Sequence, residues 1–217
     1  MTAAVDLPPA LVSGLVRAAA AIDQDGELPA SARGRLHRLV EDAGRHVHPD
    51  AGRYVRAKLA VTCAYASLAH LRAHPDLLRE AEQLAGAAVA GMGGEISPDA
   101  LEAQHDAVAA HATSLLGAPG VDPRVVYALM ACTAAARTVL DDPPLEELAV
   151  AEKEADPADW EACFCASLAA TGGATWEGVG DPRVRGRFWE WYLLVAVPFA
   201  WDPDAPLVPY PTEPPPL

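Results

Sequence analysis

The stretch from Asp181 to Trp201, DPRVRGRFWEWYLLVAVPFAW, constrains the fold more than any other part of the chain. It holds three of the five tryptophans and two of the three phenylalanines. Asp181 suits a helix N-cap, and Pro182 suits the first helical position, where its missing N–H costs no hydrogen bond. Pro198 clashes with the carbonyl four residues back, so the helix is expected to end near residue 197. Truncating a core Phe or Trp costs roughly 3–5 kcal/mol, so we expect this helix to anchor the fold.

The spacing of the apolar residues predicts which face of this helix is buried. One apolar stripe is formed by Val184, Phe188, Trp191, Tyr192 and Val195, and a polar side by Arg183, Arg187 and Glu190. Phe199 and Trp201 follow Pro198 and are expected to be apolar but no longer helical. The predicted structural anchor consists of Trp176, Arg187, Phe188, Trp189, Trp191 and Tyr192.

The rest of the chain is also predicted to form successive helices. Their predicted ranges are about 9–22, 30–47, 52–73, 76–89, 98–116 and 124–140, with a further helix in 157–170. Gly26 is expected to stop the first helix, and Ser97 to cap the fifth. The sixth has an uncharged centre, VVYALMACTAAA, and should lie centrally. Alternating strand patterns are missing, and alanine, the best helix former, dominates.

These patterns predict an all-α fold with one multi-helix, orthogonal or bundle-like domain over residues 1–201. No internal linker divides it, and 217 residues suffice for one sizeable core. Residues 202–217 contain seven prolines and are expected to form an extended or disordered tail. All Trp and Phe residues lie after residue 159, so small-residue helices are expected to lean on an aromatic C-terminal centre.

A set of residues in the C-terminal part carries a resemblance to a known family. The set comprises Asp159-Trp160, Ala166-Ser167-Leu168-Ala169, Gly172-Gly173, Trp176, Asp181-Pro182 and Arg187-Phe188-Trp189-Glu190-Trp191-Tyr192-Leu193. With this set the chain resembles the C-terminal half of the Imm5-type immunity proteins of bacterial polymorphic toxin systems. The resemblance implies an all-α protein that binds a toxin and is not an enzyme.

The charge balance restricts the possible partners. Lys and Arg total 16 against 30 Asp and Glu, a formal net charge of −14. Nucleic acids and anionic membranes select for basic surfaces, so neither is an expected partner. A basic protein partner is compatible with this charge, because complementary fields speed encounter. The alternative is that the charge only keeps an alanine-rich protein soluble.

More than half of this charge is local. Between residues 141 and 161 there are nine acidic residues and one lysine. The predicted partner-binding face consists of Asp141, Asp142, Glu146, Glu147, Glu152, Glu154, Asp156 and Asp159. It would meet a basic toxin surface, with Trp160 as an interface anchor or as a core residue. The alternative is a solvated linker and helix face.

Localisation is predicted from what the sequence lacks. The N-terminus has no basic start followed by an uninterrupted apolar run, and no 18 consecutive residues are apolar. Four cysteines, Cys63, Cys132, Cys163 and Cys165, lie within helical apolar patterns and are expected to be reduced core residues. The sequence therefore predicts a cytoplasmic protein.

Residues that could carry chemistry are sparse. His70 and His74 share a helix face, and Glu102, His105 and Asp106 lie close together on another helix. A pair of ligands is not a metal site, and no nucleophile elbow or phosphate-binding loop is present. We therefore expect no catalytic residue, no metal and no cofactor.

Together these features predict a cytoplasmic antitoxin that neutralises a cognate toxin by stoichiometric, non-covalent binding. Two alternatives remain open. A helical enzyme or metal protein would need a buried site around His70, His74 or His105. A structural or regulatory interaction protein would have a partner unrelated to any toxin, and the Pro-rich tail could be its docking segment.

Overall fold

The computed structural model describes residues 6–141 and 153–207, and all regular elements within these ranges are helical. The helices are α1 Pro9–Ala19, α2 Ala30–Arg45, α3 Ala51–Ser67, α4 Pro75–Met92, α5 Pro98–Leu115, α6 Pro123–Asp141, α7 Ala162–Thr171, α8 Pro182–Trp191 and α9 Val197–Trp201. Short 3-10 turns cover Leu68–Leu71, Pro157–Asp159 and Thr175–Glu177. The predicted all-α fold class is confirmed. None of the described helices is long and apolar enough to cross a membrane.

Helix α6 lies at the centre of the domain, as its uncharged middle predicts. It packs against α3, α4, α5 and α7. Alanines at its contact positions let the neighbouring helices approach closely, and those at positions 128, 131, 135 and 136 are fully buried. Helix α7 is buried along its whole length and packs on α6, α3 and α8. The four cysteines are all buried and none is in a disulfide, as predicted for core residues.

The C-terminal helical segment does not end before Pro198, which corrects the sequence prediction. A π-helical turn, Tyr192–Ala196, follows α8 and leads directly into α9, which contains Pro198, Phe199 and Trp201. A π-turn is wider than an α-turn, because its hydrogen bonds span one more residue. It therefore accommodates a proline whose ring would clash with the carbonyl four residues back in a regular helix.

The buried face of α8 is also rotated relative to the predicted stripe. Arg185 and Trp189 are 1% and 0% exposed, whereas Val195 is 46% exposed and Val184 is only partly buried. Arg183 and Arg187 of the predicted polar side are exposed, but Arg185, which the prediction assigned to neither side, is buried. Val195 lies in the π-turn that follows α8, where the regular helical spacing no longer holds.

Gly26 does not stop α1, which ends seven residues earlier, at Ala19. It lies in a turn closed by a hydrogen bond from its own N–H to the Asp23 carbonyl, and its φ is +75°. A Cβ on Gly26 would clash with the Pro182 carbonyl oxygen and lie 2.9 Å from the Gly186 nitrogen, both in α8. The glycine is required by this close approach of the turn to α8.

The predicted domain boundary at residue 201 is crossed by contacts. The buried Lys58 amine donates hydrogen bonds to the carbonyls of Asp202 (2.7 Å) and Ala205 (2.8 Å). It also lies 5.1 Å from the centre of the Phe199 ring. Lys58 therefore fixes the first residues of the predicted tail to α3. Residues 208–217 lie outside the described residues.

Candidate partner-binding surface

A buried ion pair fixes the beginning of α7. Arg33, on α2, is 1% exposed, and its Nε donates to Oε2 of Glu161, the residue before α7. Its guanidinium carbon lies 5.2 Å from the Phe164 ring centre and 5.3 Å from that of Trp189. Another guanidinium nitrogen donates to the Leu28 carbonyl. These contacts join α2, α7 and α8 at one point.

A second buried arginine connects the loops on the same side of the molecule. Arg185 Nε lies 3.4 Å from Glu27 Oε2. Its other nitrogens donate to the carbonyls of Asp25, Gly173 and Val179 at 3.0, 3.0 and 3.3 Å. The turn around Gly26 and the loop before α8 are therefore held by one side chain.

The two glutamates of this cluster, Glu27 and Glu161, have opposite pKa shifts. For Glu161, burial favours the protonated form, but Arg33 and His37 outweigh it and lower the pKa to about 2. For Glu27, burial is the larger effect and raises the pKa to about 7, against the charges of Arg33 and Arg185. Glu161 is therefore the permanent counter-ion of this cluster, whereas Glu27 takes up a proton near neutral pH.

The Glu27→Gln variant is expected to remove part of the pH dependence of stability. The pKa of Glu27 in the folded protein, about 7, exceeds the usual 4.5. The stability that protonated Glu27 contributes is therefore fully present below pH 4.5 and is lost as the pH rises through 7. This loss amounts to about 3 kcal/mol in the wild type and should be absent from the variant. Urea unfolding at pH 4.5 and pH 8 measures it.

The exposed Glu190→Gln variant is the matched control and should follow the wild type at both pH values. If the difference in unfolding free energy between Glu27→Gln and the wild type does not change with pH, the raised pKa of Glu27 is contradicted.

The short acidic segment before α7 is held on its inner side. Arg137 on α6 binds Asp159 at 2.6 Å, and the Asp156 side chain accepts a hydrogen bond from the Ala158 N–H at 2.9 Å. Trp160 packs edge-on against Phe164, with ring centres 5.3 Å apart, and lies 6.1 Å from Trp176. With Asp159 bound by Arg137 and Glu161 buried, the end of this segment next to α7 is fixed to the core, which lowers the ordering cost of binding.

A groove runs along this segment between α5 and α6. Its volume is about 420 Å³, and Trp160 and Arg137 are among the residues that line it. Its lining is mostly apolar and comprises His105, Ala109, Ala112, Thr113, Leu116, Met130, Thr133, Ala134, Arg137, Asp156, Pro157, Ala158 and Trp160. An apolar floor beside exposed carboxylates is suited to a partner that presents both apolar and basic groups.

Four of the eight residues of the predicted acidic face lie within the described part of the chain. Asp141, Glu154, Asp156 and Asp159 are all exposed. The other predicted members, Asp142, Glu146, Glu147 and Glu152, lie outside the described residues. Glu161, which belongs to the same acidic run in the sequence, points inward to Arg33 and is not a surface residue.

The residues of the predicted anchor have different environments. Phe188, Trp189 and Tyr192 are buried, and Trp191 is partly buried. Arg187 is exposed, and Trp176 is 38% exposed although it stacks on Phe164 at 5.9 Å. Trp160 is partly buried, so it belongs both to the core and to the groove.

Sequence reasoning missed the buried charges, and one signal could have found them. Arg33 and His37 recur in phase with Leu36 and Val40, which are buried on the same face of α2. A charged residue in phase with core positions indicates a buried pair. The histidines that were considered as metal ligands, His70, His74 and His105, belong to no group of three close ligand atoms among the described residues.

Comparison with known proteins gives one family. The model of the family described as immunity protein Imm5 matches residues 16–199. A comparison with curated proteins found no match. The matched range includes α2 to α8, and with them Arg33, Arg185 and the acidic segment.

Proposed function

Because the chain belongs to the Imm5 family of immunity proteins, we propose that it neutralises a cognate toxin by stoichiometric, non-covalent binding. The family match over residues 16–199 is the observation that carries this proposal. The action requires no catalysis by this chain: the bound protein occludes the active face of the toxin.

The acidic face is the proposed binding surface. Asp141, Glu154, Asp156 and Asp159 are exposed, and the chain has a formal net charge of −14. Charges of this kind steer a basic partner and reject acidic competitors, and they act mainly on the association rate. The groove, which Asp156 lines, adds apolar area that an encounter complex needs in order to become stable. We include Asp142, Glu146, Glu147 and Glu152 in this face from the sequence alone.

The compartment is proposed to be the cytoplasm of the producing cell. Four buried cysteines without a disulfide suit a reducing compartment. An immunity protein in this compartment would bind the toxin before it reaches its target.

The test is co-expression of the chain with the toxin encoded beside it. Survival of the cells, together with co-purification of a stable complex, is the expected result. Toxicity that persists although both proteins are soluble would refute the proposal for that pair. A stable complex that leaves the toxin fully active would refute occlusion as the mechanism.

Charge reversal tests the acidic face. We expect the double variant Asp141→Lys, Glu154→Lys to associate with the toxin about tenfold or more slowly at low ionic strength. The difference should shrink at high salt, because salt screens exposed charges. Association rates measured by surface plasmon resonance at both salt concentrations decide this.

The matched control reverses two exposed glutamates on other helices, Glu82→Lys on α4 and Glu190→Lys on α8. It changes the net charge by the same amount. Equal slowing in both double variants would show that only the total charge matters and would refute the acidic face as the docking surface.

A further inference from the structure

We propose that His37, Glu161 and Cys163 bind a divalent metal ion of the zinc class inside the fold. One potential ligand atom from each lies within 4.8 Å of the other two. His37 Nδ1 and Glu161 Oε1 are 3.2 Å apart. Zinc bonds of about 2.0–2.2 Å in tetrahedral geometry place a nitrogen and an oxygen ligand about 3.3 Å apart. The histidine and the glutamate therefore already have the spacing of a zinc site.

These two atoms lie at ion-pair distance but do not form a hydrogen bond. Both are buried and 3.2 Å apart, and neither has hydrogen-bond geometry to any partner. A buried polar atom without a partner costs free energy, so such an atom in a native fold requires an explanation. A cavity of about 40 Å³ is lined by His37, Glu161 and Cys163. A metal ion in this cavity would satisfy both atoms.

The second polar atom of His37 and that of Glu161 each have a hydrogen-bond partner, as is usual for metal ligands. His37 Nε2 lies 2.9 Å from the Tyr192 hydroxyl, and the second carboxylate oxygen of Glu161 accepts from Arg33. Partners of this kind fix the histidine ring orientation and orient the carboxylate, and they are a regular feature of protein metal sites.

The donor set and the charge balance favour zinc over magnesium or calcium. Magnesium and calcium take oxygen ligands, whereas zinc takes a mixture of nitrogen, sulfur and oxygen. The group of close ligand atoms has three members, so the fourth position of a tetrahedral zinc is left to a water molecule. Binding forms one metal–sulfur bond and releases one proton from the Cys163 thiol. The thiolate and the Glu161 carboxylate then balance the charge of the divalent ion.

The cavity adjoins the surface groove, because the two share lining residues. Trp160, Arg137 and Ala134 line both the cavity and the groove. The site differs from the sequence-based candidates His70, His74 and His105, and its ligands come from α2 and the start of α7. A metal ion bound here would join α2 to the start of α7, and it would stabilise the junction that fixes the acidic segment.

Cobalt titration of the purified full-length chain is the test. Cobalt in a tetrahedral site with thiolate ligands gives visible absorption bands and a sulfur-to-metal charge-transfer band. We expect these bands to saturate at one ion per chain, zinc to displace the cobalt, and zinc to raise the unfolding temperature. Metal analysis of protein expressed with added zinc should give one zinc per chain.

The matched variants are Cys163→Ser and Cys165→Ser, because Cys165 is equally buried but does not line the cavity. We expect at least tenfold weaker binding and a reduced charge-transfer band for Cys163→Ser, and no change for Cys165→Ser. Equal metal binding by the two variants would overturn the ligand assignment. A wild-type chain that shows no charge-transfer band and no zinc-dependent stabilisation would overturn the site, whether or not the variants fold. The test requires no toxin, so either outcome leaves the proposed function standing.

Discussion

The free energy of unfolding of the Gly26→Ala variant is expected to be roughly 3–5 kcal/mol lower than that of the wild type. A Cβ at this position would lie 2.1 Å from the Pro182 carbonyl oxygen and 2.9 Å from the Gly186 nitrogen. Both are backbone atoms of α8, so neither can move aside as a flexible side chain does. The φ of +75° adds a cost of roughly 1–2 kcal/mol for any residue with a Cβ. Urea unfolding monitored by circular dichroism measures the loss.

Gly94→Ala is the control for this variant, because it separates the clash from the backbone strain. Gly94 has a φ of +71°, and a Cβ there would meet no atom within 4 Å. We therefore expect it to cost only the roughly 1–2 kcal/mol of the positive φ. If the two variants are equally stable, the turn and α8 are not in the close contact described.

The Arg33→Met variant should lose about 3–5 kcal/mol of unfolding free energy. Methionine retains most of the apolar volume between the Phe164 and Trp189 rings but removes the charge. Glu161 would then be buried without its cation, and burial would raise its pKa. Breaking a buried pair from one side leaves an uncompensated charge, which explains the size of the effect.

The exposed pair of Arg79 and Asp76 provides the control. These side chains lie 2.8 Å apart but are 65% and 90% exposed. Arg79→Met should change the unfolding free energy by at most about 1 kcal/mol, since water screens this pair. An Arg33→Met variant as stable as Arg79→Met would contradict a structural role for the buried ion pair.

The helical architecture was predictable because each helix has local signals. Ser97 caps α5 as expected, with its side chain accepting from the Ala100 N–H at 3.2 Å, and Gly172 ends α7 with a φ of +85°. The uncharged centre of α6 predicted its central place. The π-turn before Pro198 was not predictable in this way, because it depends on the packing of the residues around it and not on a local pattern.

The environments of Glu161 and Gly26 were much less predictable from the sequence. Glu161 is one of nine acidic residues in its stretch, and only the tertiary structure shows that it is the one that faces Arg33. Likewise, Gly26 was predicted to stop a helix, whereas glycine is needed there because the turn contacts α8, about 160 residues later in the chain. Interactions between distant parts of the chain leave no periodicity for local rules to detect.

Titration of toxin activity with the purified chain tests the central claim most directly. A stoichiometric immunity protein should reduce the activity linearly with each addition, until it is abolished at a fixed molar ratio of the two proteins. Activity abolished by a small fraction of an equivalent would show that the chain acts catalytically. Activity unchanged by an excess would show that this toxin is not its target, and either result would contradict the account.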